Sequence, residues 1–349
     1  MAVAAAGLTR SGLNTNSGTD TRELYLKVFS GEVLATFRRM NKIRDRVRTR
    51  VLTSGKVAQF PAIGKAAANY FTPGQSLLTD SNLIAKVEHG EQLIYIDKKL
   101  ISGTFIDELD QMLQHFQNRS EIAAQLGIAL ATRDDQQLLQ VLSAAARATA
   151  GPTADHPLGA VWYSASGAMT VSGLATFTKA VRLSAQRLDE NDVPEDGRML
   201  VVTPEIYRRL PLEQESLVDR DYTSSNGGQD SGEIRRFMGF ELVKSNNVPQ
   251  TDTSGNPDSN QHGGATAGND YTLDNSDTVA LAFHSSAIGS ASLMGVRTSA
   301  TWFEEYQGWL LLAKQAVGHG ILQNGAAIEF SDSTTGVGLT NTTEIDALA

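Results

Sequence analysis

The sequence contains no cysteine among its 349 residues. A disulfide framework, a thiolate-bound zinc or iron–sulfur site and a cysteine nucleophile are therefore all excluded. Long hydrophobic runs are missing too: the apolar stretch at residues 309–313 ends at Lys314, far short of the roughly 18 residues that a membrane span requires. The first twenty residues lack the basic start of a secretory signal. We therefore expect a soluble protein that is made in the cytoplasm and does not enter a membrane.

The composition is typical of a globular protein, and the charge is unevenly distributed along the chain. Apolar residues make up 41% of the sequence and charged residues 20%, and the length allows two or three domains. Residues 1–56 carry eleven Lys/Arg and four Asp/Glu, a balance of +7, so the net charge of −9 leaves −16 on the remaining residues. A basic leader on an acidic body predicts a negative partner for the leader, either nucleic acid or the acidic body of another copy.

Hydrophobic periodicity predicts both helices and strands in the first half of the chain. Residues 24–40 have helical spacing, whereas arginines at every second position favour a strand, not a helix, over residues 42–56. Alternation over residues 83–106 predicts extended strand, with a tight turn or a bulge at His89 and Gly90.

Two consecutive helices are predicted next. The first covers residues 106–116, and a capping box at Asn118 and Glu121 opens a second that runs to about Thr149. This second helix would be roughly 45 Å long.

The second half of the sequence predicts shorter elements separated by polar loops. Loops at 221–232 and 250–275 consist almost wholly of small polar residues, which is typical of a binding surface or of disorder. The predicted helices are 174–188 and one opened by Thr203 and Pro204, and the predicted strands are 161–163, 198–202, 278–283, 296–306, 309–317 and 326–330.

No motif for catalysis, metal binding or cofactor binding is found. Gly55 and Lys56 lack the other residues of a phosphate-binding loop, and the glycines around His319 lack the third glycine of a dinucleotide site. The six histidines never fall at metal-binding helical spacing, and the acidic clusters fit solvated helix surfaces. We therefore predict no catalytic residue, no metal and no cofactor.

The basic segment 38–56 has two interpretations. It could bind nucleic acid, but it contains no aromatic residue that could stack on bases. The interpretation that we favour is an arm lying along acidic neighbouring subunits. A nucleic-acid-binding protein that uses this segment is the alternative.

Five segments, taken together and in order, resemble a known family. Residues 24–37 (LYLKVFSGEVLATF), 54–64 (SGKVAQFPAIG), 106–122 (IDELDQMLQHFQNRSEI), 238–243 (MGFELV) and 316–320 (AVGHG) are similar to the major capsid proteins of T7-like short-tailed bacteriophages. The resemblance implies an α+β chain with the HK97-like capsid fold, which has an extended N-terminal arm, an E-loop hairpin, a peripheral domain with a long spine helix, and an axial domain.

The resemblance also implies a division of the chain. The expected parts are an N-terminal arm (1–55), the E-loop (56–88), a peripheral domain (89–155) with its spine helix at about 119–149, an axial domain (156–290), returning strands that complete both domains (291–335), and a C-terminal tail (336–349).

The implied function is structural. The chain would self-assemble as hexamers and pentamers into the icosahedral head of a virion, with a triangulation number of seven by resemblance, around double-stranded DNA held by non-specific contact. The expected partners are a scaffolding protein during assembly in the host cytoplasm, a portal protein at one vertex and an added decoration protein. Although Lys65 and Asn69 both lie in the expected E-loop, no isopeptide crosslink between a lysine and an asparagine is expected. The residues predicted at the inter-subunit interface are Arg38, Arg39, Arg44, Arg46, Arg48, Arg50, Lys56, Lys65, Tyr70 and Phe71.

Overall fold

The computed structural model describes residues 42–74, 76, 87–96, 98–112, 119–164, 174–213, 235–254, 271–333 and 341–345. These residues fall into two compact units. The first unit takes its described residues from 98–134 and 292–317, and the second from 42–97, 135–291 and 318–349. The predicted helix at 24–40 and the loop at 221–232 lie outside the described residues.

Thirteen strands and four helices are described. In chain order they are β1 (Arg48–Val51), β2 (Val57–Ile63), β3 (His89–Tyr95), β4 (Leu100–Asp107), α1 (Glu108–Met112), α2 (Arg119–Arg147), β5 (Ala160–Tyr163), α3 (Leu174–Glu190), β6 (Arg198–Val202), α4 (Pro204–Glu213), β7 (Arg236–Phe237), β8 (Phe240–Lys244), β9 (Thr278–His284), β10 (Ile288–Phe303), β11 (Gly308–Ile321), β12 (Ala327–Ser331) and β13 (Thr342–Glu344).

A seven-stranded mixed sheet forms the core of the second unit. Its strand order is β13-β5-β12-β9-β6-β8-β7. Every residue of β6, β9 and β12 is buried, as expected where helices cover both faces of a sheet. Helix α3 packs Phe177 on Phe330 with ring centroids 5.5 Å apart. The sheet therefore supplies much of the hydrophobic core of the second unit.

The first unit is built on an antiparallel sheet in which β10, β11 and β4 are neighbours. Strands β11 and β4 pair from Gly308 opposite Asp107 to Gln315 opposite Leu100. A β-carbon at Gly308 would lie 2.5 Å from the carbonyl oxygen of Ile106, so only glycine allows the strands to meet there. Trp302 and Trp309 stack edge-to-face at 5.4 Å beside this point.

Several predicted elements are confirmed. The long helix is α2, which begins in the first unit and ends in the second, and its buried residues Leu130, Leu138 and Leu142 recur at helical spacing. Helices α3 and α4 and strands β5, β6, β9 and β12 begin within two residues of their predicted starts. Strands β10 and β11 are confirmed but are longer than predicted.

Three predictions are wrong in detail. Residues Arg44–Arg46 form a 3-10 turn, and the strand covers only Arg48–Val51, because Ile43 and Val47 are both buried in the core of the second unit. His89 and Gly90 form neither a turn nor a bulge; they begin β3, opposite Ile63 and Ala62. The helix expected from Ile106 begins at Glu108, because β4 continues to Asp107.

The polar loop 250–275 has an ordered base. Thr253 and Leu273 exchange three hydrogen bonds of 2.8–3.2 Å, and Asp252 bridges to Asp274. Residues 255–270 lie outside the described part of the chain. Among the described helices none is long and apolar enough to cross a membrane.

Candidate self-association surfaces

The exposed large apolar side chains are concentrated on two parts of the molecule. Of fourteen in the described residues, seven belong to the first unit and six lie between residues 51 and 93; Met238 alone lies on the remainder of the second unit. Exposed apolar side chains that cluster on a surface are typical of sites that bind another protein, whereas single ones scattered over a surface are common in any protein. We call the seven residues of the first unit the sheet patch: Ile101, Leu109, Met112, Leu293, Val296, Phe303 and Tyr306.

The second part is the β2–β3 hairpin with the segment that extends from it. The strands pair antiparallel from Val57 opposite Tyr95 to Ile63 opposite His89, and alternate residues of β2 are exposed. Residues 64–74 follow β2, and those from 64 to 72 have no helix or strand. Tyr70 is 100% exposed and Phe71 is 54% exposed. We call residues 64–74 the hairpin tip.

Contacts within the same chain hold the base of the hairpin. Gly64 donates its backbone N–H to the carbonyl of Glu88 at 2.8 Å, and Ile96 donates to Lys56 at 2.8 Å. Lys65 forms an exposed ion pair of 3.2 Å with Asp192, at the end of α3. At Gly90, any β-carbon would collide with the carbonyl oxygen of Pro152. The hairpin thus has a fixed origin, while its tip carries the apolar side chains outward.

The first half of the basic segment is bound to its own chain. The backbone N–H of Lys42 donates to the buried carboxylate of Asp135 at 2.9 Å, and its ammonium donates to the carbonyl of Lys244 at 2.6 Å. Arg46 pairs with Glu241 at 2.5 Å. With Ile43 and Val47 in the core, this stretch anchors the arm.

The second half of the basic segment is exposed. Arg50 donates to the carbonyl of Gln59 at 2.6 Å and lies 5.9 Å from the centre of the Phe60 ring. Arg48 and Lys56 are exposed as well, whereas Arg44 is half-buried. Arg38 and Arg39 lie outside the described residues. The predicted interface residues therefore divide into an anchoring group and an outward-facing group.

A buried ion pair fixes the end of α2 to the sheet. Arg147 donates through Nε and Nη2 to both carboxylate oxygens of Glu329, each at 2.6 Å, and Glu329 is fully buried. Thr278 donates to the same carboxylate at 2.6 Å, and Arg147 also donates to the carbonyl of Asp274. Because the carboxylate is fully paired, its burial is tolerated.

His284, at the end of β9, has a lowered pKa. Burial is the largest cause, and the positive charges of Arg198 and Arg48 add to it, whereas a hydrogen bond to the backbone of Asp196 acts in the opposite direction. The backbone N–H of Ser286 donates to Nδ1, so the neutral ring carries its proton on Nε2. The site favours an uncharged histidine.

The described residues contain no candidate metal centre. No group of three or more His, Asp or Glu side chains in these parts of the chain could hold a metal ion. The sheet patch was not predicted from the sequence. Its signal was the adjacent apolar pair Leu100 and Ile101, because successive residues of a strand face opposite sides and both cannot point into one core.

The architecture has close counterparts among solved phage capsids. The capsid structure of the cyanophage P-SCSP1u superimposes with a TM-score of 0.74 and 30% sequence identity, covering 95% of this chain and 97% of that chain. The mature capsid of bacteriophage PhiM1 gives a TM-score of 0.68 at 18% identity. The chain therefore has the HK97-like fold of phage capsid proteins.

The sequence comparisons identify the family. The Gp10A-like family, described as major capsid protein, matches residues 59–331, and the chain belongs to that family. The major capsid protein of Enterobacteria phage T3 is 29% identical over 334 residues, covering 89% of this chain and 92% of that protein. The counterpart in Escherichia phage T7 is 27% identical over 348 residues, covering 91% and 94%. The chain is a phage major capsid protein, a self-associating component of the virion head.

Proposed function

We propose that the chain assembles as hexamers and pentamers into an icosahedral shell around double-stranded DNA, and that the hairpin tip and the sheet patch form the contacts between copies. The distribution of exposed apolar side chains carries this proposal: of fourteen in the described residues, seven form the sheet patch and five lie on the hairpin strands or the hairpin tip. A shell subunit needs such surfaces on several sides, because each copy must bind several neighbours at once.

Within the proposal, the predicted interface residues have two roles. Lys42, Ile43 and Arg46 hold the arm to its own subunit. Arg48, Arg50, Lys56, Lys65, Tyr70 and Phe71 belong to the surface that faces a neighbour, whose body is acidic. The arm (1–55), E-loop (56–88), peripheral domain (89–155) and axial domain (156–290) follow the family resemblance.

The proposed partners beyond the chain itself also follow the family. A scaffolding protein, a portal protein at one vertex and a decoration protein would bind the shell, and DNA would touch it without sequence preference. Each copy has a net charge of −9, so a shell of many copies would hold DNA without gripping it. We infer no catalytic activity, since the family is structural.

A paired substitution tests the proposal. Tyr70→Ala with Phe71→Ala removes the exposed aromatic rings of the hairpin tip and leaves the core unchanged. We expect an unaltered circular dichroism spectrum and melting temperature, but loss of rings and shells in negative-stain electron microscopy.

The matched control is Met238→Ala, which removes an exposed apolar side chain from outside the proposed surfaces. That variant should assemble like the unaltered chain. Normal shells from the double variant would show that the hairpin tip is not an assembly contact.

A nucleic-acid-binding role for segment 38–56 makes a different prediction. The free subunit would then bind DNA with an affinity that falls steeply with salt. We expect weak binding, because Arg46 is already paired with Glu241 and the rest of the chain is acidic.

A further inference from the structure

The short strand β13 is bound at one edge of the seven-stranded sheet, and it is held at both of its ends. It pairs in parallel with β5, with Glu344 opposite Tyr163. Asn341 precedes the strand and Ile345 follows it. We call residues 341–345 the edge segment.

Asn341 binds the end of α2. Its backbone has a positive φ of 55°, a conformation that asparagine adopts more readily than most residues. Its side-chain amide donates to the carbonyl of Ala148 at 2.5 Å and lies 3.5 Å from the carbonyl of Ala146. Its own carbonyl accepts from the backbone N–H of Val161 at 3.0 Å. Because the last carbonyls of a helix lack partners within the helix, an asparagine is well suited to this position.

Ile345 holds the other end of the edge segment. Its side chain is fully buried and belongs to the core of the second unit. Its backbone N–H donates to the carbonyl of Tyr163 at 3.0 Å, and its carbonyl accepts from Nζ of Lys179 at 3.2 Å. The three residues between the two ends are exposed or half-buried. The segment is therefore recognised chiefly through an asparagine and an isoleucine four positions apart.

The site that receives the edge segment is built by elements from elsewhere in the chain. The side-chain hydrogen bonds of the segment join residues 166–195 positions apart. Strand β5 pairs on its other side with β12, and the end of α2 is fixed by the pair of Arg147 and Glu329. None of these contacts depends on the covalent connection from β12 to the segment. A sheet edge of this kind binds an added strand through main-chain hydrogen bonds and selects it through side-chain sites.

We propose that the β5 edge is a peptide-binding site and that copies packed in a shell exchange their edge segments through it. The inference rests on the proposed shell function and adds a link that uses neither the hairpin tip nor the sheet patch. A connection of a few residues keeps a copy's own segment near its site at an effective concentration on the order of millimolar. Neighbours in a shell present the same segment at a comparable concentration, so the two compete. Exchange of an identical element requires no new kind of contact.

The absence of cysteine allows a direct test with two differently tagged full chains. One chain carries Tyr163→Cys and the other carries Glu344→Cys, which replace residues opposite each other in the β5–β13 pair. Neighbouring strands lie about 4.8 Å apart, a separation that a disulfide can bridge, and neither chain can form it alone. The chains are assembled together under reducing conditions and then oxidised. We expect a disulfide-linked heterodimer on a non-reducing gel.

The matched control replaces Glu344→Cys by Thr343→Cys. Successive residues of a strand face opposite sides, so this cysteine points away from position 163 although its local concentration is the same. A single chain that carries both Tyr163→Cys and Glu344→Cys is the positive control and should close its disulfide internally. Heterodimer yields several-fold above the Thr343→Cys control support exchange.

The outcomes separate this inference from the proposed function. Particles that assemble without such an excess, while the positive control closes, overturn the inference and leave the shell function standing. Failure of the positive control would show that β13 does not bind β5 in this register, which overturns the inference as well. If the unaltered chain forms no particles under any condition, both fall.

A synthetic peptide tests the recognition itself. A peptide of residues 339–349, present at millimolar concentration during the mixed assembly, should lower the heterodimer yield by about twofold or more, because it then matches the effective concentration of the segment. The same peptide with Asn341→Ala and Ile345→Ser lacks both recognised ends and should leave the yield unchanged. No effect of the unaltered peptide, or an equal effect of the two peptides, would contradict a site that recognises the asparagine and the isoleucine.

Discussion

At the scale of single residues, the fold is held by buried polar groups that are far apart in the sequence. Arg147 and Glu329 are 182 positions apart, yet they form a two-pronged ion pair of 2.6 Å bonds. No sequence pattern could have paired them, because both residue types are usually exposed and neither lies in a motif. The helical position of Arg147 was predictable, but its partner was not.

Removing one partner of this pair should destabilise the protein strongly. Arg147→Ala leaves the Glu329 carboxylate buried and unpaired, which costs about 3–5 kcal/mol of unfolding free energy. The measurement is a denaturant titration. Arg187→Ala, which breaks an exposed pair with Glu190, is the control and should cost less than about 0.5 kcal/mol. Equal losses in the two variants would refute the assigned role of the buried pair.

A pH dependence of stability follows from His284. Its pKa is lower in the folded chain than in the unfolded chain, where it is about 6.5. The unfolded state therefore binds more protons below that pH, and the contribution of His284 to stability is present above it and lost on acidification. The positive charges of Arg198 and Arg48 would repel the charge that protonation adds to the ring.

We expect the melting temperature to fall on going from about pH 7 to about pH 5, and to fall less in His284→Asn, which retains a side-chain acceptor near Ser286. Parallel melting curves over this pH range would rule out His284 as a contributor.

At the scale of elements, hydrophobic periodicity predicted the helices and strands that are determined by the spacing of their own apolar residues. Helix α2 and the buried strands β6 and β9 follow from apolar spacing, since one face or both faces must enter a core. The 3-10 turn at Arg44–Arg46 was not predicted from the sequence. Arginine at every second position is typical of a strand, whereas in the structure Ile43 and Val47 are buried in the core. Tertiary packing decided the outcome there.

Glycines in two elements should respond in opposite ways to alanine. A β-carbon at Gly90 in β3 would collide with the backbone of Pro152, whereas one at Gly127 in α2 meets no atom within 4 Å. Gly90→Ala should destabilise the protein by about 1–3 kcal/mol. Gly127→Ala should stabilise it by up to about 1 kcal/mol, since alanine favours helix. Thermal denaturation of both variants measures this, and a neutral Gly90→Ala would show that the hairpin base is not tightly packed.

At the scale of the whole molecule, the buried and the exposed large apolar side chains are unevenly distributed, and the proposed contact surfaces lie where the exposed ones are concentrated. The second unit buries its large apolar side chains in a continuous core and, outside residues 51–93, exposes Met238 alone among them in the described part. The hairpin tip was predicted as an interface from family resemblance, whereas the sheet patch emerged only with the structure. Interfaces between copies leave little trace in one sequence, because they depend on which apolar residues fail to reach a core.

The structure shows where some of the basic residues near the start of the chain are engaged. Part of the excess positive charge in residues 1–56 is engaged within the subunit, where Arg46 pairs with Glu241 and the ammonium of Lys42 donates to the carbonyl of Lys244. In the proposed shell, exposed side chains of the same segment, Arg48 and Lys56 among them, would face an acidic neighbour. In that proposal the basic arm has two roles, an anchor within its own subunit and a contact with the next.

The proposed function requires that this chain builds a shell from copies of itself. Sedimentation velocity combined with negative-stain electron microscopy of the purified full chain, over a wide range of concentrations, tests it most directly. We expect rings of five or six copies or closed shells, whose amount rises with concentration and which are absent from the Tyr70→Ala, Phe71→Ala double variant. A chain that sediments as a monomer at every concentration, with no ring or shell in the micrographs, would contradict it.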